Sequence, residues 1–170
     1  MWFETTRVFL TAGKAHGGTA LNAFDNALRE AGVADFNLIR VTSIIPPQIS
    51  VEHLVNREIK GRGLLIPAVY ETISSKKRGT RISAAVGVGV TERESGMIFS
   101  YSNKGSRKEI ETVVCKMVDE GMKAKGHSKY NCEVASASVV VSEAWACVFA
   151  SVVFCERDTE RMFFGKSRRK

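Results

Sequence analysis

The sequence predicts an α+β domain in which helices cover the faces of β-sheet. Three observations carry that expectation. A capping box, Ser106-x-x-Glu109, opens a stretch in which Ile110, Val113, Val114, Met117, Val118 and Met122 recur on one helical face. Long runs such as 81–91 and 145–156 are rich in valine, isoleucine and small residues, which favour an extended backbone. Finally, 170 residues with 44% hydrophobic content and no internal repeat or linker suit one domain with its own core.

Taken in order, residues 6–11 read as a strand with Val8 and Leu10 on one face, and the glycines of GKAHGG, 13–18, mark a loop. Thr19 is a suitable N-cap for a helix running through Ala31, with Leu21, Phe24, Leu28 and Ala31 at helical spacing and Gly32 as its stop. Asp25 falls off that stripe. Residues 36–42 form a second strand that runs into Ser43, Ile44, Ile45, Pro46 and Pro47. The polar segment 48–62 reads as loop with a turn of helix. Strands are then expected over 64–74, 81–91 and 96–102, separated by polar turns at 75–80 and 92–95. Pro67 argues for a sheet edge or a bulge in the first of these. The capped helix ends near Gly126, and strands over 131–141 and 145–156 close the domain.

The formal charge is +7, but Arg157, Arg161, Lys166, Arg168, Arg169 and Lys170 against Asp158 and Glu160 put +4 into the last fourteen residues. Residues 1–156 are therefore read as the single domain and 157–170 as a basic tail, solvated rather than bound to nucleic acid. Cys115, Cys132, Cys147 and Cys155 have no C-x-x-C spacing, and His16, His53 and His127 form no H-x-x-x-H pair, so no metal signature is present. Three of the four thiols sit in apolar patterns, which points to buried free cysteine in a reducing compartment. The start of the chain is no secretory signal, and the most apolar run, 144–154, is much shorter than the roughly 20 residues a membrane helix needs. A soluble, cytoplasmic chain is expected.

The loop GKAHGGTA lacks the G-K-[ST] ending of a phosphate-binding loop, and no G-x-S-x-G nucleophile elbow occurs. His16 and His53 are candidate general bases, though isolated histidines in polar loops are usually surface residues. The Thr42-Ser43 pair is more informative. Leu38, Ile39 and Val41 bring the chain in extended, and Pro46 and Pro47 stiffen its exit. There, Ser43 Oγ attacking the Thr42 carbonyl carbon turns the amide into an ester. β-Elimination and hydrolysis then leave a pyruvoyl group at a new N-terminus. Such a ketone forms an imine with a substrate amine and accepts electrons as CO2 departs. The bland alternative is a turn at a strand end.

Four separated blocks, LNAFDNAL at 21–28, NLIR-x-[ST]-S-I-x-PP at 37–47, RISAAV at 81–86 and G-x-I-x-x-Y at 96–101, occur in order. On these the chain resembles the pyruvoyl-dependent arginine decarboxylases, self-cleaving proenzymes that convert L-arginine to agmatine and CO2. The resemblance implies a four-layer αββα sandwich assembled as a homotrimer or a pair of trimers, with sites between subunits. It also implies cleavage between Thr42 and Ser43 into a β chain, 1–42, and an α chain, 43–170, with Ser43 the source of the covalent pyruvoyl cofactor. The family usually has serine where Thr42 stands. Asn37 matches the asparagine that assists processing. Six residues of straight strand would put it about 20 Å from Ser43, so a bend or a neighbouring subunit has to deliver it. Asp25 matches the aspartate that faces the substrate guanidinium, for which a carboxylate is the natural partner.

One position departs from the family. Its G-x-I-x-E-Y carries the glutamate that protonates the substrate carbon, and here Ser100 stands in that place. A missing general acid costs about 10²–10⁴-fold in rate. Glu94 and Tyr101 are the neighbours able to substitute, although Tyr101 should point to the opposite face of its strand. The alternatives to a working decarboxylase are a catalytically impaired homologue with a structural or regulatory role, and a polyanion binder acting through the tail.

Overall fold

The computed structural model describes residues 4–54, 63–142 and 144–156, so the tail at 157–170 and part of the segment 48–62 lie outside the described residues. The elements are β1 (Arg7–Gly17), α1 (Ala20–Glu30), β2 (Asn37–Arg40), β3 (Ile44–Ile45), β4 (Ser50–His53), β5 (Leu65–Ser75), β6 (Arg81–Val90), β7 (Gly96–Lys104), α2 (Arg107–Ala124), β8 (Asn131–Val140) and β9 (Trp145–Cys155). They form a mixed α+β fold with two sheets, in the orders β2-β5-β9-β1-β4 and β3-β7-β6-β8. β9 lies at the centre of the first, antiparallel to both β1 and β5. β6 lies at the centre of the second, antiparallel to β7 and β8.

Strand alternation explains what each sheet face buries. Val8 and Leu10 of β1 and Val148 and Val152 of β9 meet Val86 and Val88 of β6 and Ile98 of β7 in the core between the sheets. Phe9, Phe149 and Val153 point the other way and take α1 through Ala23, Ala27 and Leu28. On the second sheet, Ala85 and Val134 receive Ile110, Val114, Val118 and Met122 of α2. Each fully buried Val, Ile or Leu in these layers contributes about 1.5–3 kcal/mol by leaving water. Both caps form: Thr19 Oγ1 accepts from the Asn22 N–H, and the Ser106–Glu109 box makes both of its bonds. Among the described residues, no helix is long and apolar enough to cross a membrane.

Several expectations are corrected. The glycines at 13–18 do not begin a loop, since β1 runs on to Gly17, paired along its length with β9. Gly13 is there for contact: a Cβ on it would lie 2.2 Å from the Ala27 carbonyl oxygen, so its absence lets α1 settle onto β1. That settling turns the small residues Ala23 and Ala27 inward and leaves Leu21, expected in the stripe, 68% exposed. β2 stops at Arg40 rather than at residue 42, the segment it runs into holds the two residues of β3, and β4 falls where loop was expected. β5 is not an edge, because β2 covers it; Pro67 is accommodated because the register with β9 begins only at Ala68. Of the four free thiols, Cys147 and Cys155 are buried, whereas Cys115 and Cys132 are exposed.

Candidate active site

The chain changes sheets at the Thr42-Ser43 pair. The Val41 N–H donates to the Ala68 carbonyl of β5 at 3.1 Å, still on the five-stranded sheet, while the Ser43 carbonyl accepts from the Ile98 N–H of β7 at 2.8 Å, already on the other. Between these anchors, the Thr42 carbonyl and the Ser43 N–H make no hydrogen bond among the described residues. Thr42 is exposed and Ser43 half-buried. The bond joining them is the span from one sheet to the other, held on both sides and unpaired itself.

Alternation places the neighbouring side chains. Ile45, opposite Gly96, is buried between the sheets, and Ile44 is 50% exposed on the other face, so the position of Ser43 returns toward the interlayer side. On β7, Ile98 is buried on that side, and Ser100 and Ser102 follow it there, opposite Val86 and Ala84. Ser43 and Ser100 therefore address the same interlayer space. Tyr101 packs toward α2 on the reverse face, as alternation requires, and its hydroxyl accepts from Asn103 Nδ2 at 2.8 Å. Glu94 sits in the turn before β7, 70% exposed, with its carboxylate 3.4 Å from His127 Nδ1. Neither occupies the place beside Ser100.

The remaining candidates lie apart. Asp25 is on the exposed side of α1, and α1 covers the face of the five-stranded sheet that points away from the interlayer space. Within one protomer that sheet separates Asp25 from Ser100. β2 does not bend back, and Asn37 stays at its far end, with Nδ2 donating to the Gly63 carbonyl at 2.7 Å. His53 is 3.1 Å from Glu133 at the edge of β4, and His16 lies in β1 with its Nε2 buried. Around the crossover, Ile39, Val41, Ile44 and Leu65 are exposed apolar side chains, from 36% to 70%.

Perturbed titratable groups cluster elsewhere, along the seam between α2 and β8. The Ser136 hydroxyl, foremost, and Arg107 hold the Glu111 carboxyl below its usual range. Lys123 and Tyr130 do the same for Asp119, whose carboxylate in turn pushes the Tyr130 phenol up to about 12. Burial, with Cys115 beside it, pushes the Cys132 thiol up to about 11. These contacts clamp helix to sheet.

Sequence reasoning missed one group in the interlayer space. Glu71 of β5 faces the second sheet, and its Oε1 accepts from Ser102 Oγ at 3.3 Å. An alternating strand gives no sign of which residue stands across from it.

Comparison with known proteins yields a consistent result. The family model described as pyruvoyl-dependent arginine decarboxylase matches residues 7–159. A protein of that name from Pyrococcus horikoshii is 40% identical over 153 residues, 89% of this chain and 96% of the relative. One from Thermococcus kodakarensis is 41% identical over 154 residues, with the same coverage of 89% and 96%. Another, from Methanocaldococcus jannaschii, is 38% identical over 146 residues, 85% of this chain and 86% of the relative.

Proposed function

Because the chain belongs to the pyruvoyl-dependent arginine decarboxylase family, we propose that it severs its own Thr42–Ser43 bond and then converts L-arginine to agmatine and CO2. The family uses a covalently bound pyruvoyl group. Ser43 is its source in our reading: Oγ attacks the Thr42 carbonyl carbon, the Thr42 carboxylate leaves by β-elimination, and water converts the resulting dehydroalanine to a ketone with release of ammonia. The observation that carries this reading is the crossover. An amide inside a ladder would have to break its hydrogen bonds before bending toward attack, whereas this one has none to break among the described residues and is anchored at the Val41 N–H and the Ser43 carbonyl. The surroundings suit the group as well, since the position of Ser43 opens onto an interlayer space bounded by Ile45 and Ile98. Once present, the group supplies an electron-accepting carbonyl for decarboxylation.

The other roles require assembly. Asp25 holds the guanidinium in this reading, and because a sheet separates it from Ser100 in one protomer, it serves the site of a neighbour. Asn37 assists processing across the same kind of contact. Exposed Ile39, Val41, Ile44 and Leu65 give the crossover the apolar surface that such an interface needs. The assembly is a homotrimer or a pair of trimers of four-layer αββα protomers. Free thiols throughout suit the cytoplasm.

Intact mass of the purified protein, together with CO2 and agmatine measured from arginine, tests the proposal. Two chains, 1–42 and a pyruvoyl-blocked 43–170, with turnover are expected. One unbroken chain of 18.7 kDa and no turnover would refute it. Ser100 favours a second reading, in which the chain cleaves but no longer decarboxylates. That reading expects no turnover in the natural sequence and activity gained by Ser100→Glu.

A further inference from the structure

The face that β5 turns toward the second sheet reads Val69, Glu71, Ile73, with both flanking residues in the apolar core between the sheets. A carboxyl in the middle of that stripe is costly unless it is satisfied or used. Its cross-strand neighbour on β9 is the small Ala150, which leaves room beside it. Its Oε1 takes both of the hydrogen bonds it makes among the described residues, from the Thr72 N–H at 3.1 Å and from Ser102 Oγ at 3.3 Å. Ser102 shares that proton with the Thr72 carbonyl at 3.5 Å. Oε2 makes no hydrogen bond among the described residues. Ser102 is the next residue after Ser100 on the same face of β7, about 7 Å along the strand. A carboxyl from the opposite sheet therefore meets β7 at the same-face position next to the one where Ser100 presents only a hydroxyl.

We propose that Glu71 supplies the proton that replaces CO2 on the substrate carbon, taking over the task for which Ser100 is unsuited. This rests on the decarboxylase reading above. When the bond to the carboxylate breaks, its electron pair stays with the α-carbon and takes the proton from Glu71. Water then reprotonates Glu71, so each arginine consumes one proton and yields one CO2 and one agmatine. Ser102 positions the carboxyl through its hydrogen bond.

The test compares the natural sequence with Glu71→Gln, Ser100→Glu and the double variant, using intact mass for self-cleavage, calorimetric binding of agmatine, and decarboxylation rate. Glu71→Gln should cleave normally and bind agmatine as before, while kcat falls about 10²–10⁴-fold. The double variant should recover most of that loss. Ser100→Glu alone, which keeps Glu71, should gain less than about ten-fold, because the step already has its acid. Full turnover by Glu71→Gln overturns the inference while leaving the decarboxylase reading intact, as does loss of agmatine binding in step with kcat, which would make Glu71 a substrate anchor. A hundred-fold gain by Ser100→Glu also overturns it, even if Glu71→Gln fails to fold. No turnover by the natural sequence overturns the decarboxylase reading and this inference together.

Discussion

Replacing Gly96 with alanine should damage the fold and the processing site together, by an amount the geometry sets. Gly96 opens β7 between Ile45 of β3 and the end of β6, and a Cβ there would lie 2.1 Å from the Gly89 carbonyl oxygen and 3.2 Å from the Val90 Cα. An ordinary carbon–oxygen contact is about 3.3 Å or more, so something must move by over about 1 Å. The obstacle is backbone in the central strand of its sheet, laddered on both sides, and β7 must yield instead. Overpacking of this kind costs about 1–3 kcal/mol, and the upper end is expected because no flexible side chain can absorb it. The displacement passes two residues on to Ile98, whose N–H holds the Ser43 carbonyl. Misplacing a reacting group by about 1 Å can cost about 10²-fold, so self-cleavage should slow by at least about ten-fold. Urea unfolding in a Ser43→Ala background gives stability on a single uncleaved species at fixed concentration, and intact mass over time gives the cleavage rate. Gly18→Ala is the control, since a Cβ there meets nothing within 4 Å. If Gly96→Ala matches that control in both measurements, the coupling of strand start to scissile bond is wrong.

Ser106→Ala should cost about 1 kcal/mol in urea unfolding by removing the N-cap of α2. The Ser106 N–H holds the Glu109 carboxyl below its usual range, so this contribution is complete above that range and fades as pH falls through the lowered value; Ser106→Ala keeps that N–H and should still lose stability on acidification, whereas Glu109→Gln should lose less than the natural sequence. The Tyr130 phenol, held protonated by the Asp119 carboxylate, should ionise at about 12 in a near-ultraviolet titration differenced against Tyr130→Phe. Its stabilisation stands below the ordinary tyrosine value of 10.0 and is lost as pH rises toward about 12, and an unshifted midpoint would remove Asp119 from the account.

What could be read from the sequence was what local chemistry decides. The capping box and the Ile110, Val114, Val118, Met122 stripe of α2 appear as expected because a cap and a 3.6-residue period act within a few turns of chain. α1 was misjudged at Leu21 because the face a helix buries depends on what it lies against. The glycine of β1 that admits Ala27 has no signature distinguishing it from a loop glycine. The two residues of β3 are too few to show any period. At the site, Thr42-Ser43 could be singled out as an extended pair ahead of stiff prolines, but the change of sheet at that bond is a fact of topology. Glu71 is the extreme case, since its meaning arises only once β7 is laid opposite β5.

The same topology bears on what cleavage would leave behind. The 1–42 piece keeps the β1 ladder to β9, eleven residue pairs long, and the β2 ladder to β5, so it stays bound without the peptide link. Its new end is one residue from the Val41–Ala68 hydrogen bond, and the end at residue 43 is itself fixed by Ile98. The two ends therefore belong to different sheets, whose faces stack about 10 Å apart, and nothing pairs them with each other. Relaxation of each end toward its own sheet separates the atoms that were bonded, which disfavours rejoining. It leaves residue 43 anchored on β7, two positions from Ser100 on the strand that also carries Ser102. A cut within either sheet would fray the strand that holds the reactive end, whereas a cut at the crossover frees that end and keeps its support.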